Sequence, residues 1–125
     1  CGGGGIPVIE NDKNYLVGVE AVIDKDIASS LLASELKAEL FVITTGVDRV
    51  AVNFGKPGEE WLDTVGLDYA RKLCKANHFD AGSMKPKITA MINYLECGGT
   101  TGVITNAENL AKALQGKAGT TFIKD

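Results

Sequence analysis

Residues 40–48 read LFVITTGVD, four apolar side chains in a row followed by two threonines and a glycine. An unbroken run such as Leu40-Phe41-Val42-Ile43 is what a strand covered on both faces of a parallel sheet requires. The residues after it, Thr44-Thr45-Gly46-Val47-Asp48, then fall at the strand's carboxyl end, where an α/β sheet offers its ligand crevice; they are equally suited to closing a turn. Working upstream, IASSLLASELK is periodic as a helix, with Ile27, Leu31, Leu32 and Leu36 on one face and Asp24 or Asp26 as its cap. Tyr15–Val19 reads as a short strand after an Asn11–Asn14 turn.

Downstream, Val50–Val52 is a second extended piece, and Gly55-Lys56-Pro57-Gly58 a turn. A helix from about 66 to 76 carries Leu67, Ala70, Leu73 and Cys74 on one stripe. Another, from about Pro86 to Cys97, carries Ile88, Met91, Ile92 and Leu95 and stops at Gly98-Gly99. Gly102–Thr105 reads as a strand, Ala107–Leu114 as a helix and Thr120–Ile123 as a last strand. Strands alternating with helices predict a three-layer α/β sandwich with a mainly parallel sheet, built as one domain over residues 1–125.

The 125 residues are 45% hydrophobic and 23% charged, the composition of an ordinary folded chain. A net charge of −3 argues against nucleic acid as an electrostatic partner. Cys1, Cys74 and Cys97 are odd in number and widely spaced, and His78 is the lone histidine, so neither a zinc site nor a disulfide framework is expected. With no secretory segment and no apolar run of bilayer length, a membrane role is not expected and unpaired thiols favour the cytoplasm. No methionine precedes CGGGG, which suggests a chain that starts inside a longer protein.

Several short stretches carry potential chemistry. The run Gly2-Gly3-Gly4-Gly5 is either a loop that lets backbone approach a phosphate or a flexible tail. Asp24-Lys25-Asp26 stands at the mouth of the first helix. One carboxylate suffices for a cap, and a lysine held between two aspartates is suited to neutralising a transferring phosphoryl group. Ala81-Gly82-Ser83-Met84-Lys85-Pro86-Lys87 runs a flexible loop into a helix start, an anion site by charge and geometry or a solvated lysine pair. Asn53-Phe54-Gly55-Lys56-Pro57 sets an aromatic ring and a lysine where they could flank a purine and a phosphate, or else Phe54 is core. His78, Trp61 and the cysteines read as structural or surface residues.

CGGGGIPV (1–8), GVEAVIDKDIAS (18–29), VDRVAVNFGKP (47–57) and AGSMKPK (81–87), in this order and spacing, closely resemble the carbamate kinases of the amino-acid kinase superfamily. The resemblance implies an amino-acid kinase-like fold and the carboxyl-terminal, ATP/ADP-binding half of an enzyme that interconverts ATP and carbamate with ADP and carbamoyl phosphate, typically making ATP in arginine or purine catabolism. It implies that Lys25 touches the transferring phosphoryl group, that Asp26 orients the catalytic lysines and that Lys87 binds the nucleotide phosphates. Thr45, Val47, Asn53, Phe54, Lys56 and Met84 would line the nucleotide pocket. Gly2, Gly3 and Gly4 would lie near the reacting phosphate, and Mg²⁺ would bridge the nucleotide phosphates without a protein metal site. The family's amino-terminal half, to which carbamate binding, a further lysine and the homodimer surface belong, is not in this sequence, so the chain alone is expected to be inactive or very weak. The alternatives are a non-catalytic nucleotide-binding module of the same fold and a kinase for another small carboxylate.

Overall fold

The computed structural model describes residues 3–125. In chain order its elements are β1 (Val8–Glu10), β2 (Leu16–Gly18), α1 (Lys25–Glu35), β3 (Leu40–Thr44), β4 (Val50–Val52), β5 (Glu60–Leu62), β6 (Thr64–Gly66), α2 (Leu67–Lys75), α3 (Met84–Glu96), β7 (Thr101–Thr105), α4 (Leu110–Ala113) and β8 (Thr120–Ile123). Four strands form the central sheet in the order β3-β7-β8-β6. β3 pairs in parallel with β7 and β6 in parallel with β8, while β7 and β8 run antiparallel. The sheet is therefore mixed and mainly parallel, but β3 stands at its edge and buries Phe41 and Ile43 while Leu40 is 41% exposed, so the run at 40–43 is not covered on both faces as expected.

Two helix–strand units decide where the chemistry falls. α1 leads directly into β3 and α3 into β7, so each helix runs back along the strand that follows it. Because β3 and β7 are parallel neighbours, with Leu40 opposite Thr101 and Thr44 opposite Thr105, both helix beginnings arrive at the same edge of the sheet. α1 and α3 pack against one another there. Ile88, Met91, Tyr94 and Leu95 of α3 are fully buried in one cluster with Phe41, Ile43, Ile104 and Phe122 of the sheet. Each such side chain contributes about 1.5–3 kcal/mol of burial free energy. The Phe41 and Tyr94 rings lie 5.4 Å apart, and the Tyr94 hydroxyl donates to Ala38 O at 2.6 Å.

α3 ends where its glycines predict. Gly98 adopts φ +101°, and the amides of Gly98 and Gly99 donate to Leu95 O and Tyr94 O. A Cβ at residue 99 would overlap the Tyr94 ring.

The structure departs from the sequence reading in six further places. The strand expected at Tyr15–Val19 is Leu16–Gly18, and it pairs only with Val8–Glu10, in a hairpin apart from the main sheet. Val50–Val52 likewise pairs with β5, a strand the periodicity does not show, around the Asn53–Gly58 turn. A further short strand, Thr64–Gly66, ends where the second helix was expected to begin, so α2 starts at Leu67. α3 starts at Met84, so Pro86 occupies its third position and not its first. The last helix shrinks to Leu110–Ala113, with Ala107–Asn109 in a turn whose Asn106 side chain accepts from the Asn109 amide.

The sixth departure concerns α1, where Leu31 and Leu36 are 62% and 70% exposed. The side that meets α3 is instead Asp26, Ser30 and Ala33. Small residues let the two helices approach closely, and Ser30 and Ser34 satisfy their hydroxyls on backbone carbonyls one turn back.

Candidate functional site

The segment Asp24-Lys25-Asp26 divides its labour by position. Asp24 is the N-cap of α1, accepting from the amides of Asp26 at 2.8 Å and Ile27 at 3.0 Å. With the cap satisfied, Asp26 is free to turn inward, and it is only 5% exposed. Its Oδ2 accepts from Lys87 Nζ at 2.9 Å, and Lys25 Nζ stands 3.6 Å from the same oxygen. Lys87 is itself 9% exposed, whereas Lys25 reaches into solvent. Two ammonium groups thus share one carboxylate, a formal surplus of one positive charge at the meeting of two helix beginnings, where the amide dipoles add to it. Of the opening glycines, Gly4 packs against Ile23, the residue before the Asp24 cap. Gly4 lies so close to the backbone of Ile23 that a Cβ there would overlap the Ile23 carbonyl oxygen, and Gly3 is exposed beside it. Gly2 is outside the described residues.

One turn before Lys87, Met84 opens onto a cleft of about 480 Å³. Thr45, Val47, Asn53, Phe54, Lys56 and Met84, the six residues singled out from the sequence, all line it. Its floor is the carboxyl end of β3, where the Thr45 amide donates to Thr105 O at 2.8 Å. Asp48 closes that loop by accepting from the Thr105 hydroxyl, and Arg49 pairs with Asp48 and Asp63. One wall is the β4–β5 turn. Phe54 is 61% exposed on it, not core, and packs edge-on to Trp61 with centroids 5.7 Å apart. The opposite wall is the α2–α3 loop, with Asn77, His78, Phe79, Asp80 and Ser83.

His78 is the residue the sequence reading missed: it lines the cleft and pairs with Asn53 through its Nδ1 at 2.9 Å. Nothing in the local sequence announces a contact between residues so far apart. Cys74, on the inner side of α2, has its thiol pushed above the ordinary range by burial, an effect that the charge of Lys85 opposes.

The fold is an α/β sheet with a cleft at a strand's carboxyl end, and, one helical turn beyond Met84 of its lining, two lysines around one buried carboxylate. The chain belongs to the amino acid kinase family, whose model matches residues 3–106. Within that family it is similar to carbamate kinases: 48% identical over 99% of this chain to that of Thermococcus kodakarensis, and 52% identical over 98% of this chain to that of Thermoplasma volcanium. These alignments cover 39% and 40% of the relatives, so the chain spans about two fifths of the proteins it matches. The carbamate kinase from Giardia lamblia bound to AMP-PNP superposes with a TM-score of 0.93 at 43% identity, over 98% of this chain and 42% of that one.

Proposed function

We propose that this chain is the nucleotide-binding part of a carbamate kinase, transferring a phosphoryl group between ATP and carbamate to give ADP and carbamoyl phosphate. The observation that carries the reading is the Lys25–Asp26–Lys87 group one helical turn from the cleft. Phosphoryl transfer asks the protein chiefly for positioning and positive charge. Lys87, held rigid by Asp26, meets the nucleotide phosphates, and exposed Lys25 reaches the phosphoryl group in flight. Asp26 fixes both ammonium groups, and Gly3 and Gly4 let backbone approach the same phosphate. Phe54 and Lys56 cover the base and sugar side of the cleft.

Among the described residues, no three His, Cys, Asp or Glu side chains cluster as a metal site. Mg²⁺ would arrive with the nucleotide and supply charge neutralisation at its phosphates, beside the cations Lys25 and Lys87. A kinase acting on another small carboxylate rests on the same residues, because the acceptor pocket lies outside the cleft described. A module that only binds nucleotide could have lost the lysine pair, which this chain keeps.

The test is direct. The 125-residue chain is expected to bind ADP or AMP-PNP in titration calorimetry while forming little or no ATP from ADP and carbamoyl phosphate. A protein that carries the remaining family segments should form it readily. A chain that binds no adenine nucleotide, or a longer protein that binds it without transfer to carbamate, would overturn the reading.

A further inference from the structure

The cleft has two walls that are far apart in sequence; they share the buried core through Val52 and Phe79, and at the cleft itself Asn53 hydrogen-bonds His78. On the hairpin side, the turn after β4 is bonded mainly to itself: Lys56 N donates to Asn53 O, Glu59 N to Lys56 O, and Gly55 N to the Glu59 carboxylate at 2.6 Å. Such a turn keeps its shape; its flanking strands are anchored in the core by Val50, Val52 and Leu62 and through the Thr120 hydroxyl, while the exposed tip bearing Phe54 and Lys56 lies beyond those anchors. Its link across the cleft is Asn53, which sits at φ +54°, a left-handed conformation that asparagine tolerates. The Asn53 side-chain oxygen meets His78 Nδ1 at 2.9 Å, and the Asn53 amide makes a long bond to His78 O at 3.4 Å.

The opposite wall is firmly held. His78 N donates to Leu73 O of α2, and the neighbouring Phe79 is buried in the core. From there the loop is fastened to α3 by Lys85, whose Nζ donates to the Asn77 side chain at 2.9 Å and whose amide donates to Asp80 O. α3 carries Lys87. A continuous hydrogen-bonded route therefore runs from the turn bearing Phe54 and Lys56, through Asn53 and His78, to the helix bearing the phosphate-facing lysine.

We infer that His78 is a positioning residue for the nucleotide: by donating from Nδ1 to Asn53 it sets the distance between the turn that covers the base end and the helix that holds the phosphate end. The inference rests on the nucleotide reading of the cleft and adds to it a residue that acts through another. A ligand with phosphates alone has no base to lay against Phe54 of the turn and depends less on the tie. A ligand that spans both walls depends on it more.

The experiment compares AMP-PNP with inorganic tripolyphosphate on the full 125-residue chain, using the fluorescence of Trp61, the single tryptophan, which packs on Phe54 of the same hairpin. His78→Asn keeps a donor at the place of Nδ1, whereas His78→Leu keeps bulk and removes the donor. His78→Leu is expected to weaken AMP-PNP about tenfold, leave tripolyphosphate within twofold and make Trp61 more accessible to acrylamide. His78→Asn should restore AMP-PNP affinity to within about threefold of the parent. Unchanged AMP-PNP affinity in His78→Leu, or equal loss of both ligands in the two variants, overturns the inference while leaving the nucleotide reading intact. If the parent chain binds tripolyphosphate but not AMP-PNP, the nucleotide reading itself fails and takes this inference with it. Should His78→Leu fail to fold, the His78→Asn affinity and quenching decide alone: a tenfold loss in that folded variant rejects a role that needs only the donor.

Discussion

Lys87 and Asp26 lie 61 residues apart in the chain, yet the ammonium of one donates to the carboxylate of the other at 2.9 Å in a buried setting. Each charge offsets the desolvation of the other, which for an isolated ion away from water costs several kcal/mol. Lys25 adds a second ammonium on the solvent side of the same oxygen. The excess positive charge is thereby held in place before any ligand arrives, which is the condition for electrostatic stabilisation of a transferring phosphoryl group.

Replacing Lys87 by alanine removes the pre-positioned cation. In a phosphoryl-transfer assay on a catalytically complete protein, the expected loss is about 2–4 kcal/mol of transition-state stabilisation, roughly 30- to 1000-fold in turnover. Steady-state kinetics with ADP and carbamoyl phosphate measure it, and an unaltered rate would remove Lys87 from the mechanism.

Asp26→Asn keeps the cap, because Asp24 provides it, and removes the partner of Lys87. Turnover is expected to fall more than nucleotide affinity, as an organiser acts on placement. Stability should drop by about 3–5 kcal/mol, the cost of leaving a buried ammonium uncompensated. Adding Lys87→Met to Asp26→Asn should recover most of that stability and none of the activity. Urea melts and rates on the two singles and the double complete the cycle, and strictly additive losses would deny the coupling.

Asp24→Ala tests the other half of the division of labour. It should cost about 1 kcal/mol of stability through the lost α1 cap, measured by chemical denaturation. A loss of nucleotide binding with no change in stability would mean that Asp24 acts on the ligand and not on the helix.

The two cysteines on the helices should separate by reactivity. Burial raises the Cys74 thiol above its ordinary pKa, so at a given pH less of it is thiolate, and its alkylation should gain speed only at higher pH. Cys97 is exposed at the end of α3. Peptide mass spectrometry after limited alkylation near pH 8 should find Cys97 modified first; equal labelling would place Cys74 nearer the surface than the fold allows.

Much of this could be read in the chain. The strand core Phe41–Ile43 and the stripe Ile88-Met91-Leu95 are local patterns dictated by which side chains a strand or helix must bury, and the stop at Gly98-Gly99 is one dictated by backbone conformation. The motif residues that line the cleft are legible in a different way, through resemblance to the carbamate kinases and not through any burial pattern. Misreadings cluster where burial is decided by a partner. Leu31 and Leu36 have the spacing of a core face, but α1 packs through Asp26, Ser30 and Ala33, because α3 offers it a lysine and close approach. The strands at Glu60–Leu62 and Thr64–Gly66 are too short to show a period.

Taken alone, the order of residues determined the α/β class, the positions of the main helices and strands, and which lysines and aspartates merit attention. It left open whether Asp24 or Asp26 caps the helix, whether Lys87 is a solvated charge, and that His78 faces the cleft at all. Only the tertiary structure decided these, because each depends on two segments meeting in space. The parallel pairing of β3 with β7 brings two helix beginnings to one edge, and hydrogen bonds of a few ångströms then choose among side chains that are equivalent in sequence.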